Sequence, residues 1–276
     1  MTRKLKIGVV PYLNAKPLIH GLEGPGGKVE LVFAVPSKLP RLLEDGGVDV
    51  AIVPAIECFR NNRLTILPGI SISSRGPVES VRLFLKRGYV DEVRTVALDD
   101  ASRTSVALTK VILKEKYGLS PRYISWHVGS RMEDTQADAL LVIGDSAMRV
   151  EDGLPSLDLG AEWDKLTGLP FVYAVWASTS KEALDEAAPL LQEAKERGLE
   201  ELVTIALKES GILGLEPELC IKYLTECIRY DLGDEEIEGL QLFCDYTSKM
   251  GLVPDGAGID LYGRGNIREG VVRKAD

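Results

Sequence analysis

The sequence predicts an α/β protein made of two α/β units followed by a helical region. Three observations carry that prediction. Short apolar runs of strand length alternate with amphipathic stretches of helix length from Ile7 to Trp176. The alternation restarts near Thr95, giving two units of about 80 to 90 residues each, within the usual domain range. From Ser180 onward the strand signal stops and the apolar spacing becomes helical, with many charged positions between. Strand–helix–strand alternation predicts parallel sheets with right-handed crossovers.

The first apolar run, Ile7-Gly8-Val9-Val10, reads as a buried strand. Pro11 ends it, because proline cannot donate to a ladder. Tyr12, Asn14 and Lys16 follow, and Pro17 sets the first turn of a helix whose apolar face begins with Leu18 and Ile19. Polar groups at the carboxyl end of a strand lie where open α/β sheets bind ligands. Val29 to Val35 is the next strand. Ser37 to Asp45 is a short helix with Ser37 as its cap, closed by Gly46-Gly47. Val48 to Pro54 is a third strand, and Ala55 to Arg60 starts a helix. Ile70 to Pro77 reads as a polar bend before the strand Val81 to Leu85.

In the second unit, Thr95 to Leu98, Pro121 to Trp126, Ala137 to Ile143 and Phe171 to Trp176 read as strands. Val106 to Tyr117 is an amphipathic helix that Gly118 terminates. Three helical stretches follow, at Lys181 to Glu209, Glu216 to Tyr230 and Asp234 to Met250. Gly251 to Asp276 reads as loop and tail, given Gly263, Gly265 and Gly270. The organisation expected is one lobe of residues 1–85 plus 178–276, a second lobe of residues 86–177, and a ligand cleft between them. Val81 to Lys86 and Phe171 to Ala177 are expected to be the two hinge strands, and the helical region to pack on the first lobe.

Composition narrows the function. The formal net charge is −9 and no basic run occurs, so nucleic acid and anionic membrane are not expected partners. Arg3, Lys4 and Lys6 are followed by only four apolar residues before Pro11, too few for a secretory signal. A cytoplasmic protein, monomeric or homodimeric, is expected. Cys58, Cys220, Cys227 and Cys244 show no CxxC spacing and read as buried free thiols. With only His20 and His127, no metal site is expected, and His127 reads as structural.

Four polar segments compete for the cleft. The first is Tyr12-Leu13-Asn14. In the second, Ser73-Ser74-Arg75, two hydroxyls and a guanidinium suit a carboxylate. The third, Ser102-Arg103-Thr104-Ser105, opens a long helix capped by Ser102, where free N–H groups favour an anion. Gly144-Asp145 is the fourth, with a glycine that admits close approach to the backbone. Trp176, at a hinge position, is a candidate cleft wall.

The stretches VVPYLNAKPL, VDVAIVPAIE, SISSRGPVESVRLF, TVALDDASRTSVAL, ADALLVIGD and DLGAEWDKLTGLPFVYAVWA together resemble the MqnA family, the chorismate dehydratases of the futalosine route to menaquinone. The resemblance covers roughly two-thirds of the chain, about the size of a full domain. It implies a type II periplasmic-binding-protein fold and a cytosolic lyase without cofactor. The implied substrate is the small dianion chorismate, converted to 3-[(1-carboxyvinyl)oxy]benzoate and water. The resemblance also associates Asn14 with catalysis, with the substrate's own enolpyruvyl carboxylate as a candidate base. Two alternatives remain at this point. A 1,4-dihydroxy-6-naphthoate synthase of the same pathway would use a first-loop histidine, where this chain has Asn14 and carries His20 only six residues later. A non-catalytic small-anion binder would share the fold without the chemistry.

Overall fold

The computed structural model describes residues 3–22, 27–86, 88–99, 102–126, 135–150 and 153–267. The chain begins with strand β1 (Leu5–Val9) and two single 3-10 turns, Leu13–Ala15 and Pro17–Ile19. β2 (Val29–Phe33), helix α1 (Leu39–Glu44), β3 (Val50–Pro54), α2 (Ala55–Arg60) and β4 (Thr65–Ser74) follow. Next come β5 (Val81–Leu85), β6 (Thr95–Asp99), α3 (Thr104–Val111), β7 (Arg122–Trp126), β8 (Ala139–Ile143), α4 (Asp145–Met148) and β9 (Ser156–Asp158). The remainder is α5 (Leu159–Thr167), β10 (Phe171–Ser178), α6 (Lys181–Glu200), α7 (Leu202–Leu213), α8 (Pro217–Lys222), α9 (Asp234–Lys249), β11 (Ile259–Leu261) and β12 (Gly265–Ile267). α3 and α8 each run on into a π turn, Ile112–Lys116 and Tyr223–Cys227.

The strands form two sheets. The first has the order β12-β11-β4-β10-β3-β1-β2, and the second β7-β6-β8-β5-β9. β1 pairs in parallel with β2 and β3, as the strand–helix alternation predicts. Both sheets are nevertheless mixed. β10 runs antiparallel to β3 and β4, and β5 antiparallel to β8 and β9. The reason is topological: each of these strands enters its sheet from the other one.

Several expectations are corrected here. The polar bend at Ile70–Ser74 is instead the second half of β4, buried throughout and paired with Phe171 to Val175. Its alternating serines look like loop, but their hydroxyls are satisfied by backbone: Ser73 Oγ donates to the Arg229 carbonyl. The strands expected as hinges are interior members of one sheet each, β5 of the second and β10 of the first. Crossing between sheets occurs at residues 75–80 and after α5. Asp158 fixes the first crossing, accepting the N–H groups of Val78, Glu79 and Ala161. Ser37 does not cap α1; it lies in a turn before Lys38, which is the N-cap. Pro17 opens a 3-10 turn and no longer helix. The stretch after Gly251 is not all loop: β11 pairs in parallel with β4, and β12 antiparallel with β11.

The C-terminal helices lie on the first sheet and on the loop after β1. Gly198 of α6 meets the Pro17 carbonyl so closely that a Cβ there would fall far inside van der Waals contact. Trp163, Phe171 and Phe243 form a cluster of edge-to-face rings joining α5, β10 and α9, with centroids 4.9 to 5.9 Å apart. All four cysteines are buried, and none forms a disulfide. Among the described residues no helix is long and apolar enough to cross a membrane.

Candidate active site

A cavity of about 80 Å³ lies where the carboxyl end of β1, the first crossing, the N-terminus of α3 and the end of β8 converge. Tyr12, Asn14, Arg103, Thr104, Ser105 and Gly144 all border it. The sequence singles out all six, and the fold brings them together from three separate segments. Much of the remaining wall is aliphatic, including Val10, Ile52, Ile72, Val78 and Ile228. Among the described wall residues Arg103 is the one cation.

The loop that carries Asn14 is fastened on several sides. Asp145 Oδ1 accepts the Leu13 N–H at 3.2 Å. Lys16 pairs with the buried Glu209 of α7 at 3.0 Å. Gly144 has φ +63°, a conformation that favours glycine, and the Tyr12 ring lies against its Cα face. Burial pushes the Tyr12 phenol up to about 12, aided by Asp99 and Asp145, so it stays protonated. Burial also raises the Asp145 carboxyl. The Leu13 N–H, Arg149 and Lys16 oppose that shift, and Glu209 adds to it.

Asn14 itself is held by a chain of hydroxyls. Its Nδ2 donates to Tyr223 Oη at 2.9 Å, and Tyr223 Oη donates to Ser80 Oγ at 2.8 Å. Asn14 Oδ1 is buried and has no hydrogen-bond partner among the described residues. A buried, unmatched acceptor costs free energy unless a ligand fills it. Tyr223 and Ser80 were missed in the sequence. Tyr223 sits in a π turn of a helical stretch that carries no site pattern, and Ser80 lies in the crossing segment. Only the irregular backbone of that π turn would have singled Tyr223 out.

The other candidates fall elsewhere. Ser73 and Ser74 are buried in β4, behind the wall; Ser74 Oγ touches the Tyr173 hydroxyl at 3.0 Å, and Tyr173 borders the cavity. Arg75 turns outward to Glu235 at 2.7 Å and to the Gly168 carbonyl. The expected grip on a carboxylate is therefore absent there, because an acidic partner on α9 already occupies the guanidinium. Asp145 backs the loop instead of lining the cavity. Trp176 is fully buried in β10, opposite Ile52. Ser102 is buried on the cavity wall, but the N-cap of α3 is Arg103. Thr104 Oγ1 accepts the Ile56 N–H at 3.4 Å, linking α3 to α2. His127 lies outside the described residues.

Known proteins resemble this chain in sequence and in fold. The model of a family described as menaquinone biosynthesis matches residues 5–249. A chorismate dehydratase of Thermus thermophilus is 35% identical over 263 residues, 88% of this chain and 95% of that protein. A chorismate dehydratase of Campylobacter jejuni is 31% identical over 175 residues, 63% of each chain. Among solved structures, the periplasmic aliphatic sulphonate binding protein SsuA of Escherichia coli superposes with a TM-score of 0.68 at 18% identity, covering 98% of this chain and 95% of that one. A Candida albicans protein described as having the generic periplasmic binding protein fold superposes at 0.62 with 12% identity, covering 98% and 99%. Those two likenesses establish a periplasmic-binding-protein-like α/β fold. The family match spans most of the chain, and the chain belongs to the menaquinone-biosynthesis family.

Proposed function

We propose that this protein is a chorismate dehydratase, a lyase that removes water from chorismate to give 3-[(1-carboxyvinyl)oxy]benzoate. The observation that carries the reading is Asn14: it stands on the cavity wall with a buried acceptor that no described residue satisfies. The 35% identity to an enzyme of that name over nearly its whole length supports the substrate.

The chemistry asks little of the protein. Loss of water makes the ring aromatic, so one C–H proton and one hydroxyl must leave in the right geometry. An amide is scarcely basic, so Asn14 does not take the proton; the substrate's enolpyruvyl carboxylate does. Asn14 acts on the reacting centre by position and charge. Arg103, with the N–H groups at the start of α3, receives a substrate carboxylate. The aliphatic wall excludes water and strengthens these contacts. The two sheet-bearing parts of the chain form lobes that close on the substrate, and no cofactor takes part. Four buried cysteines outside any disulfide and an acidic pI of about 5.0 fit a cytoplasmic enzyme.

The test is to mix purified protein with chorismate and follow products by chromatography and mass. The expected product is aromatic and lighter by one water. Asn14→Ala should lower kcat by about 100-fold or more, the scale of losing one preorganised polar contact at a reacting centre, while the protein stays folded by circular dichroism. Wild-type turnover in that variant would remove Asn14 from the mechanism.

A further inference from the structure

We infer that Tyr223 is a positioning residue for this reaction, and that it decides which end of the Asn14 amide the substrate meets. The inference rests on the dehydratase reading and sharpens it. An asparagine amide offers a donor at one end and an acceptor at the other. Tyr223 Oη takes the donor end, Nδ2, at 2.9 Å, and its own proton goes to Ser80 Oγ at 2.8 Å. Tyr223 and Ser80 are both almost wholly buried, so water does not replace these bonds. Burial raises the phenol far above neutral pH, and it remains a neutral hydroxyl with a proton to give. What is left over is Asn14 Oδ1, buried and without a partner among the described residues.

The consequence concerns the substrate. A lone acceptor does not hold a carboxylate, because both carry negative charge density. It holds a donor. Chorismate is a dianion whose neutral donor is its ring hydroxyl, the group that leaves. Asn14 Oδ1 therefore accepts that hydroxyl's hydrogen and turns the oxygen lone pair away from itself. The enolpyruvyl carboxylate takes the C–H proton, and the C–H electron pair becomes the ring's new double bond; the proton is then delivered to that lone pair, the C–O bond breaks with its electron pair on oxygen, and water departs. Atoms and charge balance without any further reactant. Asn14 is the group that touches substrate; Tyr223 works through it, and Ser80 works through Tyr223.

Tyr223→Phe keeps the ring and deletes the hydroxyl. We expect kcat to fall 10- to 100-fold while KM stays within about threefold, because the amide loses its fixed orientation and Arg103 does not. Ser80→Ala should lower kcat 3- to 10-fold. The double variant should be no slower than Tyr223→Phe alone, since the two residues act in series. A merely structural role would move the melting temperature and the fraction of folded enzyme, yet leave kcat per folded molecule unchanged. Wild-type kcat in folded Tyr223→Phe, or losses that multiply in the double variant, would overturn the assignment. An inactive wild-type protein would overturn the dehydratase reading itself, and this role with it.

Discussion

Arg103 offers a clean separation of binding from chemistry. It is the one cation among the described wall residues, and it stands at the start of α3, away from Asn14 and Tyr223. Charge-assisted hydrogen bonds are worth about 1.5–3 kcal/mol. Arg103→Gln should therefore raise KM for chorismate by about 10- to 100-fold and change kcat much less, a split read from steady-state kinetics. Asp145 makes a different kind of prediction. Burial raises its carboxyl pKa in the folded state, so the folded protein prefers the protonated form. The stability this one group contributes is then fully present below the ordinary carboxylate pKa of about 3.9 and is lost as pH climbs through the raised value. Asp145→Asn removes that titration and keeps an oxygen for the Leu13 N–H. Its melting temperature should vary less with pH than that of the wild type across the acid range, as scanning calorimetry would show. A wild-type curve no steeper than the variant's would mean that Leu13, Lys16 and Arg149 outweigh burial.

The support of the Asn14 loop comes from whole elements. α6 approaches the Pro17 carbonyl at Gly198, where no side chain fits. Gly198→Ala should force helix and loop apart at a cost of about 1–3 kcal/mol, typical of overpacking. Both a lower unfolding midpoint in urea and a reduced kcat are expected, because the displaced loop carries Asn14. Elements of this kind differ in how openly the sequence declares them. β1, β3 and β8 are continuous apolar runs, and Tyr12, Asn14 and Gly144 follow directly from standing at their ends. β4 stayed hidden because Pro68, Gly69 and three serines look like a bend; the ladder with β10 makes those serines strand residues, and the carbonyls of Asp231 and Arg229 take up the hydroxyls of Ser71 and Ser73. β11 was masked by its surrounding glycines. Arg75 misled for a related reason: its partner Glu235 is 160 residues away, and nothing local announces it. Tyr223 was invisible because its role exists only through Asn14.

At the scale of the whole molecule, the site belongs to no single stretch of chain. Asn14 follows the first strand, Ser80 lies in the crossing from one sheet to the other, Arg103 stands on the second sheet's side, and Tyr223 comes from the C-terminal helices. The Asn14–Tyr223 bond spans 209 residues. β10, the central strand of the first sheet, also enters late, after the second sheet's last strand. Contacts so distant along the chain are slow to form, because the intervening loop must be ordered before they return any free energy. This has a consequence for synthesis. While the chain is still leaving the ribosome, the loop with Asn14 emerges well before Tyr223 and waits for it. A stalled nascent chain ending short of residue 223 should neither turn over chorismate nor gain protease resistance from it. Release of the chain should bring both at once, so that competence for the substrate arrives only after Tyr223 has emerged.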